Sequence, residues 1–401
     1  MKIVEKKFYS KTFAEFFSGI GLMRMGLEQA GWKIQFANDI DPLKQRLYDN
    51  HFKDKQKHLV LGDIHEISGD QIPSITLATA SFPCTDLSLA GRRDGLSGSQ
   101  SSAFWGFVRI LDEMGTRKPP LILLENVEGF LTSHQGKDFL EALNSLNKLG
   151  YAVDAFLIDA VKFVPQSRVR LFIIGTLKMR KNESVNEKTI SFYQSHGRNS
   201  KLASFIFDHP EINWNIRDLP HLPKKAGKLD DIVEDISDDA KEWWSEDRVK
   251  YLLDQTFDRH RIIIEEAKNR QAYSYFTAFR RIRNGRSMAE IRSDGIAGCL
   301  RTPKGGSARQ ILLKVGRGTI QIRFLSPLEC ARLMGADDFT ISGSFTESLF
   351  GFGDAVCVPV VKWIAENYLN PVLDEINQNS SDQISEYGQK SAGAKSICTK
   401  H

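Results

Sequence analysis

A chain of 401 residues, 41% hydrophobic and 26% charged with a net charge of +4, has the makeup of a globular protein large enough for two cores. No run of about 20 apolar residues is present, and the N-terminal MKIVEKKFYSKTFAEFF lacks a secretory signal's apolar centre, so a cytoplasmic protein is expected. Five scattered cysteines, with no Cys-x-x-Cys pair and no His cluster, argue against a disulfide framework and a metal site.

The first 176 residues alternate short apolar runs with helical patterns. TFAEFF predicts a strand, MRMGLEQAG a helix ending at Gly31, KIQFAND a second strand, and PLKQRLYDNHF a helix with Pro42 in its first turn. HLVLGDI, SITLATASF, LILLENV and RLFIIGTL read as further strands. Strands apolar throughout, separated by helices, predict a doubly wound α/β domain with a parallel sheet covered on both faces. From 177 to 320 this rhythm fails, and only short pieces such as QILLKV and TIQIRF look strand-like, as in a smaller irregular domain. Within that region, residues 226–258 carry eleven acidic against four basic side chains, and 259–323 fifteen basic against four acidic. The basic block suits a polyanion, or a solvated face folded against its acidic neighbour. In 321–376, RFLSPLECARLMG carries a capping box from Ser326 to Glu329 with Pro327 at the first helical position. GDAVCVPVVKWIAENYL then predicts a long amphipathic helix returning to the first domain, and 377–401 reads as a polar, disordered tail.

Several motifs sit at strand ends, where α/β sites lie. FFSGIGL (Phe17, Ser18, Gly19, Ile20, Gly21, Leu22) marks a strand-to-helix turn, either a plain tight turn or one approached by a ligand. Asp39 closes the second strand, where a carboxylate accepts from ribose hydroxyls, and Asp63 in GDI suits an adenine amine. With no full G-x-G-x-x-G, an adenosine cofactor without phosphates, such as S-adenosylmethionine, fits. In SFPCTDLS, Cys84 follows Pro83 at a strand mouth, as a small hydrophobe or a nucleophile. Glu125 ends the apolar LILLENV as a capping, paired or proton-donating carboxyl, and PQSRVR supplies Gln166, Arg168 and Arg170, as a solvated edge or as partners of Glu125. A thiolate, a carboxyl acid and a cation beside such a cofactor suit methylation at pyrimidine C5: attack at C6 with a proton shared at N3 makes an enamine that takes the methyl group.

The ordered set FFSGIGL, NDID, GDI, SFPCTDLS, ENV, PQSRVR, RFLSPLECARLMG and GFGDAVCVP resembles the DNA (cytosine-5)-methyltransferase family, mainly its bacterial and phage restriction-modification members. The resemblance implies an S-adenosylmethionine-dependent, Rossmann-like methyltransferase domain with a target-recognition domain between PQSRVR and RFLSPLEC. It implies that Phe17 to Leu22 surround the methionine part, that Asp39 holds the ribose, that Ile40 packs on adenine and that Asp63 binds its amine, with Ile64 and Pro83 completing the pocket. Cys84 would be the nucleophile, Glu125 the contact to N3 and the exocyclic amine, and Arg168 and Arg170 would touch the flipped base and support Glu125. The loop from Thr85 to Ser102, with Arg92 and Arg93, would be a lid over the flipped base. Three positions depart from the family pattern: Thr85 in place of Gln, Asp39 in place of Glu, and Asp354 in place of Asn. An Asp at 354 would repel the methionine carboxylate unless protonated or turned away.

RTPKGGSARQ is the expected DNA-reading loop, with Arg301, Lys304, Gly305, Gly306 and Arg309 as contacts, joined by Gln166 and Arg323; a basic hairpin touching only phosphate is the alternative. AFRRIRNGR is expected to meet the backbone. The partner expected is duplex DNA bearing a short specific site, met by a monomer, with a restriction endonuclease acting separately. Methylation of transfer RNA, or a catalytically silent DNA-binding homologue, are the alternatives.

Overall fold

The computed structural model of the protein describes residues 8–54, 58–83, 102–177, 189–224, 227–283, 285–302 and 309–379. Its larger sheet has seven strands, β1 (Thr12–Phe16), β2 (Lys33–Asp39), β3 (Leu59–Leu61), β4 (Leu77–Ala80), β5 (Leu121–Val127), β6 (Tyr151–Asp159) and β7 (Val169–Leu177), in the order β3-β2-β1-β4-β5-β7-β6. The first five strands pair in parallel, whereas β7 runs antiparallel to both β5 and β6. The wholly parallel expectation is therefore corrected at β7. The connection from β6 to β7 (160–168) is shorter than the crossover of about a dozen residues that parallel neighbours need.

β6 is not among the strands expected from the sequence, where Asp154 interrupts its apolar run. That carboxylate is fully buried, yet it accepts from Arg198 Nη2 at 2.7 and 3.0 Å, from the Tyr368 hydroxyl at 2.9 Å and from Arg217 N at 3.1 Å. A buried charge with all of its partners present is tolerated inside a sheet.

The strand order reverses between β1 and β4, which opens a crevice at their carboxyl ends. The Phe17–Gly21 turn leaves β1 on one side, and Ser81–Pro83 leave β4 on the other. Asp41 caps the helix Pro42–Phe52 by accepting from Leu43 N at 2.9 Å, with Pro42 in its first turn as expected.

The smaller sheet is antiparallel: β8 (Ser274–Arg283), β9 (Arg286–Arg292), β10 (Ile311–Gly316) and β11 (Thr319–Phe324), in the order β11-β10-β8-β9. Helices Glu246–Asp254 and Asp258–Lys268 close its own core, around Leu252, Ile264, Phe276, Leu313 and Ile322. Both expected boundaries of this unit shift. The division at 176/177 cuts β7, and Leu202, Ile206, Ile212 and Trp214 belong to the core of the large sheet. The division at 320 cuts β11.

The capping box at Ser326 and Glu329 opens the helix Pro327–Leu333. Asp354 ends the helix Phe345–Asp354, so the last helix begins at Val358 rather than at Gly353, after an extended step through Ala355–Cys357 that precedes Pro359. The stretch Phe345–Asn379 is long and apolar enough to cross a membrane, but its most apolar window is 72% buried within the fold, as in a core helix. Trp32 Nε1 donates to Asn370 Oδ1 at 2.9 Å, and Asn377 exchanges hydrogen bonds with Tyr9 at 2.9 and 3.1 Å. Asn377–Asn379 are helical, contrary to the expected tail, whose remainder lies outside the described residues.

Candidate active site

At the end of β1 the chain turns through Phe17 at φ 58°, a left-handed conformation that costs energy for an aromatic residue and marks functional turns. Gly19 (φ 57°) follows, and a Cβ there would meet nothing within 4 Å, so backbone lies open to the crevice. Its N–H donates to Asp39 Oδ2 at 2.7 Å, while Asp39 Oδ1 accepts from Asp41 N at 2.9 Å, so Asp39 orders both loops of the pocket wall. Ile40 is 64% exposed, an apolar surface suited to a flat ring. The Ser18 hydroxyl and Glu15 Oε2 are buried without a hydrogen-bond partner among the described residues. Burial holds the Glu15 carboxyl well above its ordinary pKa, against the pull of Arg24. Orphaned polar atoms, open backbone and an exposed aliphatic side chain suit the zwitterionic tail and adenosine of S-adenosylmethionine.

Other expected pocket residues have structural work, Asp63 with one of its two oxygens. Ile20, Leu22 and Ile64 are buried in the core. Gly21 (φ 84°) serves packing, since a Cβ there would stand 2.4 Å from the Phe52 ring and 2.7 Å from Tyr48. Asp63 accepts from His65 N at 2.9 Å and caps the turn Ile64–Glu66.

Glu125, near the end of β5, is buried, and its Oε1 accepts from Arg170 Nε at 2.9 Å. The antiparallel register of β7, pairing Val127 with Arg170, sets that guanidinium beside the carboxylate. Burial raises the Glu125 pKa above its ordinary value by more than Arg170, Arg168 and the Ser81 hydroxyl pull it down. A carboxyl biased toward its neutral form is a proton donor. Asn126, which the sequence reading did not single out, donates to Phe82 O at 3.3 Å, tying the Glu125 strand to the segment that enters Cys84. Its signal lay in plain view, as a second polar residue at the end of an apolar run. Pro83 is exposed at the rim.

Arg168 departs from its expected role. Its Nη1 donates to Leu300 O at 2.9 Å and to Cys299 Sγ at 3.3 Å, and its Nη2 to Ala355 O at 2.6 Å and Gly353 O at 3.3 Å. It fastens chain segments together, and Arg170 alone is ion-paired with Glu125 among the described residues. Cys299, a second residue missed by the sequence reading, lies between the two arginines. Burial pushes its thiol up, but Arg168, Arg170 and Arg301 outweigh burial and hold it below its ordinary value.

Of the expected DNA contacts, Arg301 is exposed and Arg309 half-buried, its guanidinium 5.4 Å from the Phe324 ring centre. Gln166 and Arg323 are corrected. Gln166 is buried, donating to Leu333 O at 2.7 Å and accepting from Leu300 N at 2.9 Å. Arg323 is buried in a two-pronged pair with Glu329 at 2.7 and 2.5 Å. Cys84, Arg92, Arg93, Lys304, Gly305 and Gly306 lie outside the described residues.

The family model for C-5 cytosine-specific DNA methylases matches residues 11–370, which spans both sheets and the returning helix. The chain belongs to this family. The methylase transfers a methyl group from S-adenosylmethionine to C5 of cytosine in DNA. It is 26% identical to the type II methyltransferase M.HhaI of Haemophilus parahaemolyticus, over 92% of this chain and 97% of that protein. It is 29% identical to M.DsaV of Dactylococcopsis salina, over 92% and 88%. In fold the methylase is similar to the solved structure of a Spodoptera frugiperda DNMT2 mutant, with a TM-score of 0.59 at 17% identity, covering 91% of this chain and 99% of that one.

Proposed function

We propose that the methylase modifies one cytosine within a short specific site of duplex DNA, with Cys84 as nucleophile and Glu125 as acid. The observation that carries this reading is the buried Glu125–Arg170 pair, joined through Asn126 to Phe82, two residues before Cys84. The Cys84 thiolate adds to C6 while Glu125 gives its proton to N3, and the resulting enamine carries its electron pair to C5. S-adenosylmethionine held in the crevice would supply an electrophilic methyl group to C5, its sulfonium carbon–sulfur bond breaking to leave S-adenosylhomocysteine. Loss of the C5 proton to a base, with expulsion of the thiolate from C6 and return of the N3 proton to Glu125, restores the ring. Arg170 keeps Glu125 oriented and Asn126 keeps it in register with the nucleophile's segment. Phe17, Ser18, Gly19, Asp39 and Ile40 hold the cofactor, with Asp63 at the adenine end.

Recognition rests with the small sheet and the loop from Arg301 to Arg309. The β8–β9 hairpin carries Arg280, Arg281, Arg283 and Arg286 around Ile282, which is 73% exposed, a composition suited to phosphates. One body with a catalytic edge and a basic face is sufficient as a monomer in the cytoplasm. The type II methyltransferases among its relatives favour a restriction-modification setting, with a separate endonuclease reading the same site. Mixed-sequence duplex incubated with S-adenosylmethionine and mapped for 5-methylcytosine at base resolution should show one recurring short motif. Label on transfer RNA and none on duplex would reject the DNA assignment.

A further inference from the structure

Asp354 is one of the three positions that depart from the family pattern, and its carboxylate is half exposed and held by two partners. One carboxylate oxygen accepts from Lys44 Nζ at 3.1 Å, and the other accepts from the Thr302 hydroxyl. Lys44 belongs to the helix Pro42–Phe52, whose cap Asp41 is itself held by Asp39, and Lys44 also feels the charges of Asp39 and Asp41. Thr302 stands at the stem of the recognition loop, next to Arg301. The packing there is tight: a Cβ on Gly353 would stand 2.4 Å from Thr302 N and 2.5 Å from the Arg301 carbonyl carbon. Beneath it, Arg168 joins Leu300 to Gly353 and Ala355. An Asp at the last residue of the helix Phe345–Asp354 is unfavourable to the helix dipole, so helix stability does not explain it.

We infer that Lys44, Asp354 and Thr302 are positioning residues that couple the recognition-loop stem to the cofactor wall, so that DNA and S-adenosylmethionine bind with positive cooperativity. The inference rests on the proposed DNA role of the Arg301–Arg309 loop. A ligand that orders one end of the bridge reduces the ordering cost of the other, and the effect is reciprocal.

Calorimetry with S-adenosylhomocysteine, alone and with a saturating duplex containing the mapped site, tests this. The wild-type protein is expected to bind S-adenosylhomocysteine more tightly with DNA present. Asp354→Asn, Lys44→Met and Thr302→Val should each reduce that ratio by about two- to fivefold, the scale of a half-exposed ion pair or one solvent-exposed hydrogen bond. Thr302→Ser should restore it, and the Lys44→Met/Asp354→Asn double variant should lose no more than either single one. Asp354→Asn removes an unfavourable helix-end charge, so a lost ratio in that variant is not a folding defect. A wild-type ratio of one, or a ratio that survives all three substitutions, overturns the inference. So does weaker S-adenosylhomocysteine binding by Asp354→Asn without DNA, which would make Asp354 a cofactor contact. Failure of the wild-type protein to bind any duplex would instead reject the proposed function.

Discussion

The carboxyl edge of the large sheet and the β8–β9 hairpin of the small one treat arginine in opposite ways. At the carboxyl edge of the large sheet, Arg168 and Arg170 are withdrawn from water, and their donors meet carbonyls, a thiol and the Glu125 carboxylate. On the hairpin, Arg281, Arg283 and Arg286 stand in solvent; Arg283 donates to Glu290 at 3.0 and 3.1 Å, and Arg281 lies 3.7 Å from the same carboxylate. Desolvated guanidiniums set the protonation and orientation of neighbouring groups with little freedom left. Solvated ones keep their charge for a polyanion and gain from released counterions. Chemistry and recognition therefore use one residue type under two dielectric regimes.

This contrast is open to direct challenge, beginning where the effect is largest. Glu125→Gln keeps the shape but cannot give up a proton, and should lower kcat by about 10²–10⁴-fold with cofactor binding intact. The raised Glu125 pKa also sets a sign: the neutral carboxyl is the active form, so the single-turnover rate should fall as pH rises through that value. An alkaline limb that persists unchanged in Glu125→Gln would reassign it. Arg170→Met leaves Glu125 buried and unpaired, and should cost about 3–5 kcal/mol in denaturant unfolding, less whatever protonation of the carboxyl recovers. Its loss should push the Glu125 pKa still higher, moving the alkaline limb upward. Gln166→Ala should cost about 1–3 kcal/mol through the Leu300 and Leu333 groups it strands, with the methylated motif unchanged. Arg281→Ala and Arg286→Ala should each leave kcat alone and flatten the dependence of DNA affinity on salt by about one unit of log–log slope. A loss of kcat on the hairpin as deep as that of Glu125→Gln would abolish the contrast.

The first sheet was legible because its strands are apolar runs separated by capped helices, and Asp41–Pro42 and Ser326–Glu329 are local signals that need no tertiary context. β6 was not, because Asp154 looks like a loop residue until Arg198, Arg217 and Tyr368 converge on it from distant parts of the chain. The β8–β9 hairpin has a local sign in Asn284-Gly285, a common two-residue strand connection, but the arginines flanking it replace the apolar alternation that marks a half-buried strand. At the site, Glu125 and Arg170 were readable as a pair. Arg168, Gln166 and Arg323 were not separable by sequence from surface cations and amides. What distinguishes Arg168 and Gln166 is burial against carbonyls of Leu300, Leu333 and Ala355, segments brought together only by the fold, and what distinguishes Arg323 is its buried pair with Glu329.

The most direct measurement of the central assignment is covalent trapping. The methylase is incubated with S-adenosylmethionine and duplex DNA in which 5-fluorocytosine replaces the target base, so that the fluorine at C5 prevents release of the enzyme, and denaturing mass spectrometry locates the adduct. The assignment requires an adduct on Cys84, absent in Cys84→Ala. An adduct on Cys299, or methyl transfer by Cys84→Ala, would contradict it.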